Sequence, residues 1–350
     1  MEFAFTEEQE MIRDTAAAFL AEVSDSEAVR RAMATESGYD EQLWQRICSE
    51  MYWQAIHLPE DYGGMGLGYV ELVATMEQMG RYLLCSPFFA TVCLAGNALL
   101  LAGSETQKSH WLGRLCEGRT TATLAFNGGL ARWDAGAVTA TWRRDGDGFL
   151  LNGDYRYVID GHTADLLVLA AREEGTSGAG GISLFLLPAG TRGLNRKWLP
   201  SMDQARKQAA VTLNEVRLDA DALMGEAGNG WQPLSRVIDL AAIALAAEQV
   251  GGCQRLLDMT VEYTSDRVQF NRPIASFQAV KHKAADMMLR TEVARSAIYY
   301  AACVAQEAIE GGPLGGELTE AASVAKSYCS DAYFAVAGDA LQLFGGVGFT

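Results

Sequence analysis

The sequence predicts an α+β fold in three parts: an N-terminal helical domain over residues 1–120, a middle β-barrel-like domain over 121–228 and a C-terminal four-helix bundle over 229–350. Apolar residues recur at helical spacing in the first and last thirds, whereas short β-branched and aromatic runs between turn residues fill the middle. With 350 residues, of which 49% are hydrophobic, the chain can bury the cores of two or three domains.

The first helix is predicted to begin directly after Thr6. Gln9, three residues further on, completes a capping-box signature, in which the Thr hydroxyl and the Gln side chain satisfy each other's backbone N–H groups. Apolar residues at helical spacing follow: Ile12, Ala16, Phe19 and Leu20. Similar spacing continues to about Gly118, interrupted by loop-like segments at residues 58–68 and 86–88. This third is therefore expected to be helical.

The middle third has the pattern of β structure. Its apolar runs are short, and glycine, aspartate or proline stands between them. The clearest turn is the run RRDGDGF, because Asp-Gly supplies the positive φ angles that a tight hairpin needs. Roughly 100 residues of this kind are a usual size for a small sandwich or barrel.

The last third returns to the helical period in three long runs, at about 232–265, 277–311 and 317–343. Long antiparallel helices of this kind form a bundle. The runs IDLAAIALAAEQVGG and AASVAKSYCSDAYFAVAGDA are rich in alanine, so backbones can approach closely, and the bundle could also pack against another copy of itself.

Composition narrows the range of partners and compartments. A formal net charge of −16 repels nucleic acid and anionic lipid. Seven cysteines without metal-site spacing fit neither a disulfide framework nor a zinc site, so a reducing, cytoplasmic location is expected. The acidic start does not match a signal peptide, and no apolar run is expected to reach the roughly 18 residues that a membrane span requires.

Six motifs occur together in the order that one protein family shows. They are LPEDYGGMGLG, LNGDYRYVIDG, MDQARKQAAVTLNEVRL, GEAGNGW, RVQFNRPIASFQAVKHKAADM and the closing QLFGGVGFT. Over its whole length the chain resembles the acyl-CoA dehydrogenase family. The resemblance implies FAD as cofactor, an acyl-CoA thioester as substrate, electron-transfer flavoprotein as electron acceptor and a dimer or tetramer of identical or different subunits.

The resemblance also implies residues that hold the adenosine side of FAD across a subunit interface. Arg267 would neutralise the pyrophosphate, since Arg offers a fork of donors to phosphate oxygens. Phe270 would pack on the adenosine, and Gln278 would hydrogen-bond near the adenine. At the chain end, Gln342 and the pair Gly345 and Gly346 would approach the same ligand. The alternatives are a surface ion pair of Arg267 with Asp266 or Glu262 and a plain helix cap at the two glycines.

On the flavin-ring side the chain departs from the family pattern. Many members carry Thr-Glu-Pro followed by Gly-Ser-Asp, where this chain reads AFNGGLARWDAGAV; Phe126 and Asn127 are the local replacements. The next motif reads YVID where the family often has Trp-Ile-Thr. Tyr157 can still stack as an aromatic, but Ile159 stands in place of the hydroxyl. The alternative for Tyr157 is an ordinary strand aromatic.

The catalytic base is the largest departure. The family's reaction needs a carboxylate to remove the proton α to the thioester carbonyl. Ala241 and Ala242 occupy one position where a catalytic Glu and a substrate-contacting Arg can occur, and the other family position lies beyond Thr350. Either the bundle lacks its final segment, or this subunit does not carry its own base. Glu248, two turns after Ala241, is the remaining candidate; the alternative is a buried ion pair.

Three functions stay open on these grounds. The first is an FAD-dependent acyl-CoA dehydrogenase that forms the 2-enoyl-CoA. The second is a non-catalytic partner subunit of a heteromeric dehydrogenase, of the kind that shortens steroid side chains, which completes an FAD site in another chain. The third is an oxidase or monooxygenase on the same fold.

Overall fold

The computed structural model describes residues 6–130 and 132–350. Two parts of the chain lie outside the described residues. One is residues 1–5, at the start of the segment that was expected not to match a signal peptide. The other is Ala131, in the run AFNGGLARWDAGAV. The chain separates into two compact units. The helical unit contains the described residues up to Asp25, Gly68–Leu84 and Ala242–Thr350, and the mixed unit contains Ser26–Leu67 and Cys85–Ala241. The three predicted sequence domains stay a prediction.

In the part of the chain that the structure describes, the α-helices of the helical unit are five longer ones and one short terminal one. The predicted capping box is present, because Thr6 accepts from Gln9 N at 3.2 Å and Gln9 Oε1 accepts from Thr6 N at 3.1 Å. The elements are α1 (Glu7–Val23), α4 (Tyr69–Arg81), the later part of α7 (Trp231–Asp266), α8 (Gln278–Glu310), α9 (Leu318–Phe344) and α10 (Gly346–Phe349).

The predicted C-terminal helical domain is present, and two helices from the first third of the chain belong to the same compact unit. Only three long helices lie in the C-terminal third of the described chain, and α4, from the first third, packs against α8 while α1 packs on α4. Sequence periodicity shows a helix but not its packing partner, so the packing of α1 and α4 in this unit was not part of the prediction.

The helix α7 also corrects an expectation about length. By length and mean hydropathy alone it could cross a membrane, because its alanine-rich run contains few charges. In the structure 61% of its most apolar window is buried inside the protein, as in a core helix of a globular protein.

Glycine sets the distance between α4 and α7. A Cβ atom on Gly80 would lie 1.9 Å from the carbonyl oxygen of Glu248, and one on Gly251 would lie 1.7 Å from that of Glu77. The two backbones are therefore in direct contact, which only glycine at both positions permits.

Gly80→Ala is expected to destabilise the helical unit by about 1–3 kcal/mol, because the added methyl group forces two packed helices apart. Gly338→Ala is the matched control. A Cβ there meets nothing within 4 Å inside α9, so helix propensity should raise stability by about 0.5–1 kcal/mol. Urea unfolding of both variants checks this, and a Gly80→Ala protein as stable as the wild type would contradict the close contact.

The mixed unit combines short helices with one sheet. Its α-helices before α7 are α2 (Ser26–Ala34), α3 (Glu41–Arg46), α5 (Asn97–Ala102) and α6 (Glu105–Cys116), with π-helical segments at Ile47–Met51 and Phe89–Gly96. Its strands are β1 (Ala122–Ala125), β2 (Thr141–Asp145), β3 (Gly148–Ile159), β4 (Leu166–Glu173), β5 (Ile182–Pro188), β6 (Leu194–Leu199), β7 (Gln208–Leu218) and β8 (Leu223–Met224).

The sheet is open, so the expectation of a barrel was wrong. Its order is β6-β7-β3-β2-β4-β5-β8, with β1 pairing in parallel with β4. Within residues 6–130 and 132–350 no pairing joins β6 to β8. The edge strand β6 carries Arg196 and Lys197, and charged side chains are typical of an edge that stays unpaired. The predicted hairpin is present, with Asp145 opposite Gly148 across the β2–β3 turn.

Candidate functional site

A small hairpin follows the end of α7 at Asp266. Strands β9 (Val268–Gln269) and β10 (Arg272–Pro273) pair antiparallel, and the two residues between them, Phe270 and Asn271, have φ angles of 54° and 60°. Two left-handed residues make the tight turn that suits twisted strands. A bulky residue in this region is strained, and the turn leaves the Phe270 ring 85% exposed. Strain of this kind is common where a side chain is held out for a ligand or partner.

Arg267 is held by its backbone, and its side chain is exposed. Its N–H donates to Tyr263 O at 2.9 Å, and its carbonyl accepts from Ile274 N at 2.8 Å. Within the described residues its guanidinium forms no ion pair, so the alternative pairing with Asp266 or Glu262 is not found. By contrast, the Arg272 guanidinium lies 4.1 Å from the centre of the Phe277 ring. Arg267 is thus the guanidinium of this hairpin that remains available to an anion.

Contacts between helices bring the other predicted residues to the same end of the helical unit. The rings of Tyr263 and Phe344 stack at 4.4 Å, which joins the end of α7 to the end of α9. Asp339 on α9 binds Lys283, and Arg290 Nη1 lies 3.3 Å from Asp339 Oδ2, so the start of α8 lies beside the same end. We call this set the adenosine-side cluster: Arg267, Phe270, Gln278, Gln342, Gly345 and Gly346.

The two glycines of the cluster are not an ordinary helix cap. Gly345 ends α9 at φ 61° and ψ −135°, a region that side-chain-bearing residues avoid, and donates to Gln342 O at 3.2 Å. Gly346 has no left-handed φ, and a Cβ built on it or on Gly345 meets nothing within 4 Å. The chain's own packing therefore does not require glycine at position 346, whereas close approach of a ligand would.

The start of α8 adds to the positive potential of the cluster. Gln278 is exposed as the first helical residue, and the preceding Phe277 has no side-chain cap for the free N–H groups. Uncapped N–H groups at the start of a 33-residue helix attract anions. Together with Arg267 they suit a diphosphate in a chain whose net charge is −16.

In the mixed unit, the predicted ring-side residues lie on one surface. The pairing of β3 shifts between Tyr155 and Val158, and within this bulge Tyr157 has φ 60° and is 60% exposed. The backbone of Arg156 donates to Asn127 O at 2.8 Å, which places the loop after β1 next to Tyr157. The Asn127 amide is largely committed to its own loop. Its Nδ2 donates to Arg132 O at 3.1 Å and its Oδ1 accepts from Gly129 N at 2.8 Å.

Sequence reasoning missed Trp133 on the same loop. Its ring is 73% exposed and lies 6.0 Å from the half-buried ring of Phe126. The loop is held by Asp134, which binds Arg132 Nη2 at 2.7 Å and accepts from Gly136 N at 2.8 Å. The signal in the sequence was a tryptophan in a loop made largely of glycine, alanine and charged residues. We call the set Phe126, Trp133 and Tyr157 the ring-side aromatics.

Possible bases are few. Ala241 is buried and Ala242 is half-buried on α7. Neither methyl side chain can accept a proton, so neither residue can be the base. Glu248 is half-buried where α7 crosses α4, and it stays a candidate. Sequence reasoning also gave no role to Asp160, which is only 7% exposed. Burial raises the pKa of Asp160 to about 7, against the opposing charge of Arg206.

The chain is similar to known proteins of one family. Family models described as the acyl-CoA dehydrogenase N-terminal and C-terminal domains match residues 6–119 and 228–350. The chain is 33% identical to acyl-CoA dehydrogenase IpdE2 of Mycobacterium tuberculosis over 98% of this chain and 87% of that one. Among solved structures, butyryl-CoA dehydrogenase of Megasphaera elsdenii has a TM-score of 0.91 at 28% identity, covering 100% of this chain and 91% of that one. A chain of the ChsE4-ChsE5 complex of Mycobacterium tuberculosis has a TM-score of 0.87 at 26% identity, covering 100% and 90%. The chain therefore belongs to the acyl-CoA dehydrogenase family.

Proposed function

We propose that this chain takes part in the FAD-dependent α,β-dehydrogenation of an acyl-CoA thioester to the 2-enoyl-CoA, with electron-transfer flavoprotein as electron acceptor in the cytoplasm. The adenosine-side cluster carries this proposal. When bound, FAD accepts the hydride that leaves the β carbon. Arg267 would neutralise its pyrophosphate, Phe270 would cover its adenosine, and the backbone at Gly346 would approach it closely.

The cluster suits a flavin shared between subunits. Its residues are exposed on their own chain, so burial of the cofactor would come from a neighbour. The helical unit also exposes large apolar side chains that association would cover. They include Met288, Leu289, Val293, Phe334 and Leu341. We therefore propose a dimer or tetramer in which each adenosine-side cluster completes a site on another subunit.

A second candidate is the partner-subunit role, in which the reactive flavin ring lies on a different chain. Three observations favour it. Alanines stand at 241 and 242, the Asn127 amide serves its own loop, and Trp133 adds a large exposed ring beside Phe126. The ChsE4-ChsE5 complex of Mycobacterium tuberculosis is a precedent for two chains in one complex of this fold.

Anaerobic titration separates the two candidates. The chain is purified alone, its FAD content is read from the visible spectrum, and a panel of acyl-CoA esters is added. For a self-sufficient dehydrogenase we expect one FAD per chain that bleaches on addition of substrate and is reoxidised by electron-transfer flavoprotein rather than oxygen. Glu248→Gln should then abolish bleaching while FAD stays bound.

Absent or unbleached flavin, recovered only after co-expression with a homologous chain, would exclude the self-sufficient enzyme and establish the partner-subunit role. Flavin that bleaches and is rapidly reoxidised by oxygen alone would instead indicate an oxidase. A chain that binds no FAD in any combination would contradict both candidates.

A further inference from the structure

Trp133 is an exposed indole on a loop whose backbone is held on both sides of it. Asn127 Nδ2 donates to the carbonyl of Arg132, directly before the indole, at 3.1 Å. Asp134, directly after it, binds Arg132 Nη2 at 2.7 Å, so the two neighbours of Trp133 are bonded to each other. The ring is nevertheless 73% exposed. Exposed tryptophans are enriched where a protein meets a ligand or a partner.

The residues after Trp133 form a short 3₁₀ helix, Ala135–Ala137. Asp134 caps it, because its Oδ1 accepts from Gly136 N at 2.8 Å and its carbonyl accepts from Ala137 N at 2.9 Å. Ala137 is fully buried. The position of the indole therefore depends on the position of this short helix.

Arg172 on β4 binds the same short helix from the sheet. Its Nη2 donates to Ala135 O at 2.6 Å, and its Nε donates to Val138 O at 3.3 Å. Its Nη1 donates to Gly180 O at 3.1 Å. Over the described ranges no ion pair involves Arg172, and all three of these bonds go to backbone carbonyls. A guanidinium suits this task, because its donors diverge in one plane and can reach two loops at once.

The acceptor Gly180 O belongs to a loop that is itself fixed. The carbonyl of the next residue, Gly181, accepts from Trp142 Nε1 at 3.0 Å and from Glu173 N at 2.8 Å. Trp142 is 2% exposed in the core of the sheet. Arg172 is also held through its backbone, because β4 pairs with β2 and β5. The guanidinium thus joins the fixed sheet to the segment that carries the indole.

We propose that Arg172 is a positioning residue that fixes the loop of Trp133, so that the indole is held beside Phe126 and can cover a planar ring system. The contacts run from the guanidinium to Ala135, through the Asp134 cap, to an indole 6.0 Å from the Phe126 ring. A ring that is fixed before binding loses less conformational entropy when a ligand stacks on it. That the ligand is a flavin ring rests on the proposed function, whereas the positioning of Trp133 does not.

Fluorine NMR of the indole tests the positioning in the full chain. 5-Fluorotryptophan is placed at position 133 alone, and its chemical shift is compared with that of the free amino acid. We expect one displaced resonance in the wild type, because a held ring keeps one orientation to Phe126. Arg172→Lys should move the resonance toward the free position, since a lysine keeps the charge but cannot donate to both loops. Arg143→Lys is the matched control, because this exposed guanidinium on β2 donates to Arg144 O at 3.5 Å and forms no hydrogen bond to the loop among the described residues.

An undisplaced wild-type resonance, equal spectra of the wild type and Arg172→Lys, or an equal change in Arg143→Lys would overturn the proposal. A second variant covers the case in which Arg172→Lys does not fold. Asp134→Ala, at an exposed position, removes the cap between the short helix and the indole and should also move the resonance toward the free position. An unchanged resonance in that variant would overturn the proposal as well.

The FAD-loaded oligomer supplies a second readout. An indole stacked on a flavin ring quenches flavin fluorescence by electron transfer, so Trp133→Phe and Arg172→Lys should each raise this fluorescence several-fold. In the double variant Arg172→Lys should add nothing, because residues that act through one another are not additive. Additive effects would overturn the proposal. If the resonance moves in Arg172→Lys but Trp133→Phe leaves flavin fluorescence unchanged, the positioning stands and the ring-side role in the proposed function fails.

Discussion

Arg267→Met is expected to lower the affinity for FAD about 10- to 100-fold. Hydrogen bonds to charged groups are worth about 1.5–3 kcal/mol, and each 1.4 kcal/mol is tenfold in affinity. The wild-type guanidinium has no carboxylate partner among residues 6–130 and 132–350, so the loss should appear in ligand binding rather than in folding. Titration of FAD fluorescence with the assembled oligomer, including any partner chain it needs, measures the affinity.

Two further variants sharpen this test. Arg267→Lys should fall between the wild type and Arg267→Met, because a lysine keeps the charge but not the fork of donors. Arg255→Met removes an exposed guanidinium from α7, twelve residues before Arg267, and should leave the affinity for FAD unchanged. Wild-type affinity in Arg267→Met, or an equal loss in Arg255→Met, would remove the adenosine-side cluster as the FAD site.

Glu77→Gln is expected to lower the free energy of unfolding by about 3 kcal/mol, the range for breaking a buried ion pair. Glu77 is 4% exposed on α4. Arg295 Nε lies 3.1 Å from Glu77 Oε1, Tyr299 donates to Glu77 Oε2 at 2.6 Å, and Arg295 also donates to Gln254 at 2.7 Å. Burial lowers the pKa of Arg295, but the Glu77 and Glu292 carboxylates outweigh it and the net change is a rise.

The chain offers a matched control on the same guanidinium. Glu292 also binds Arg295, but its side chain is 57% exposed, so Glu292→Gln should cost less than about 1 kcal/mol. Urea unfolding followed by circular dichroism gives both values. Equal losses in the two variants would show that burial of Glu77 adds nothing to the pair.

Features with a local signal could be predicted from the sequence. The capping box at Thr6 is present, and the three long helices, predicted at 232–265, 277–311 and 317–343, lie at Trp231–Asp266, Gln278–Glu310 and Leu318–Phe344. Periodicity and turn residues act within a few positions, so they show elements well. The strand order of the open sheet could not be predicted. For example, the parallel pairing of Ala122 with Leu166 has no signal in the sequence of either segment alone.

The candidate site also has residues that the sequence predicts and features that it does not predict. Arg267, Gln278 and the two glycines stand in motifs that a reader of the sequence can find. The left-handed turn at Phe270 could not be expected, since neither residue of the turn is glycine. The hydrogen bond of His162 to Glu36 O spans 126 positions, and the pair of Glu77 with Arg295 spans 218. Such contacts arise from tertiary packing, which single-sequence patterns do not record.

The exposure of the adenosine-side cluster has a thermodynamic consequence for the assembled protein. If FAD bridges two subunits, its binding and their association are linked equilibria, and each must strengthen the other by the same factor. Dilution would then release cofactor, and added cofactor would hold dilute subunits together. The cell's supply of FAD would in this way control how much of the chain is assembled, with no regulatory domain required.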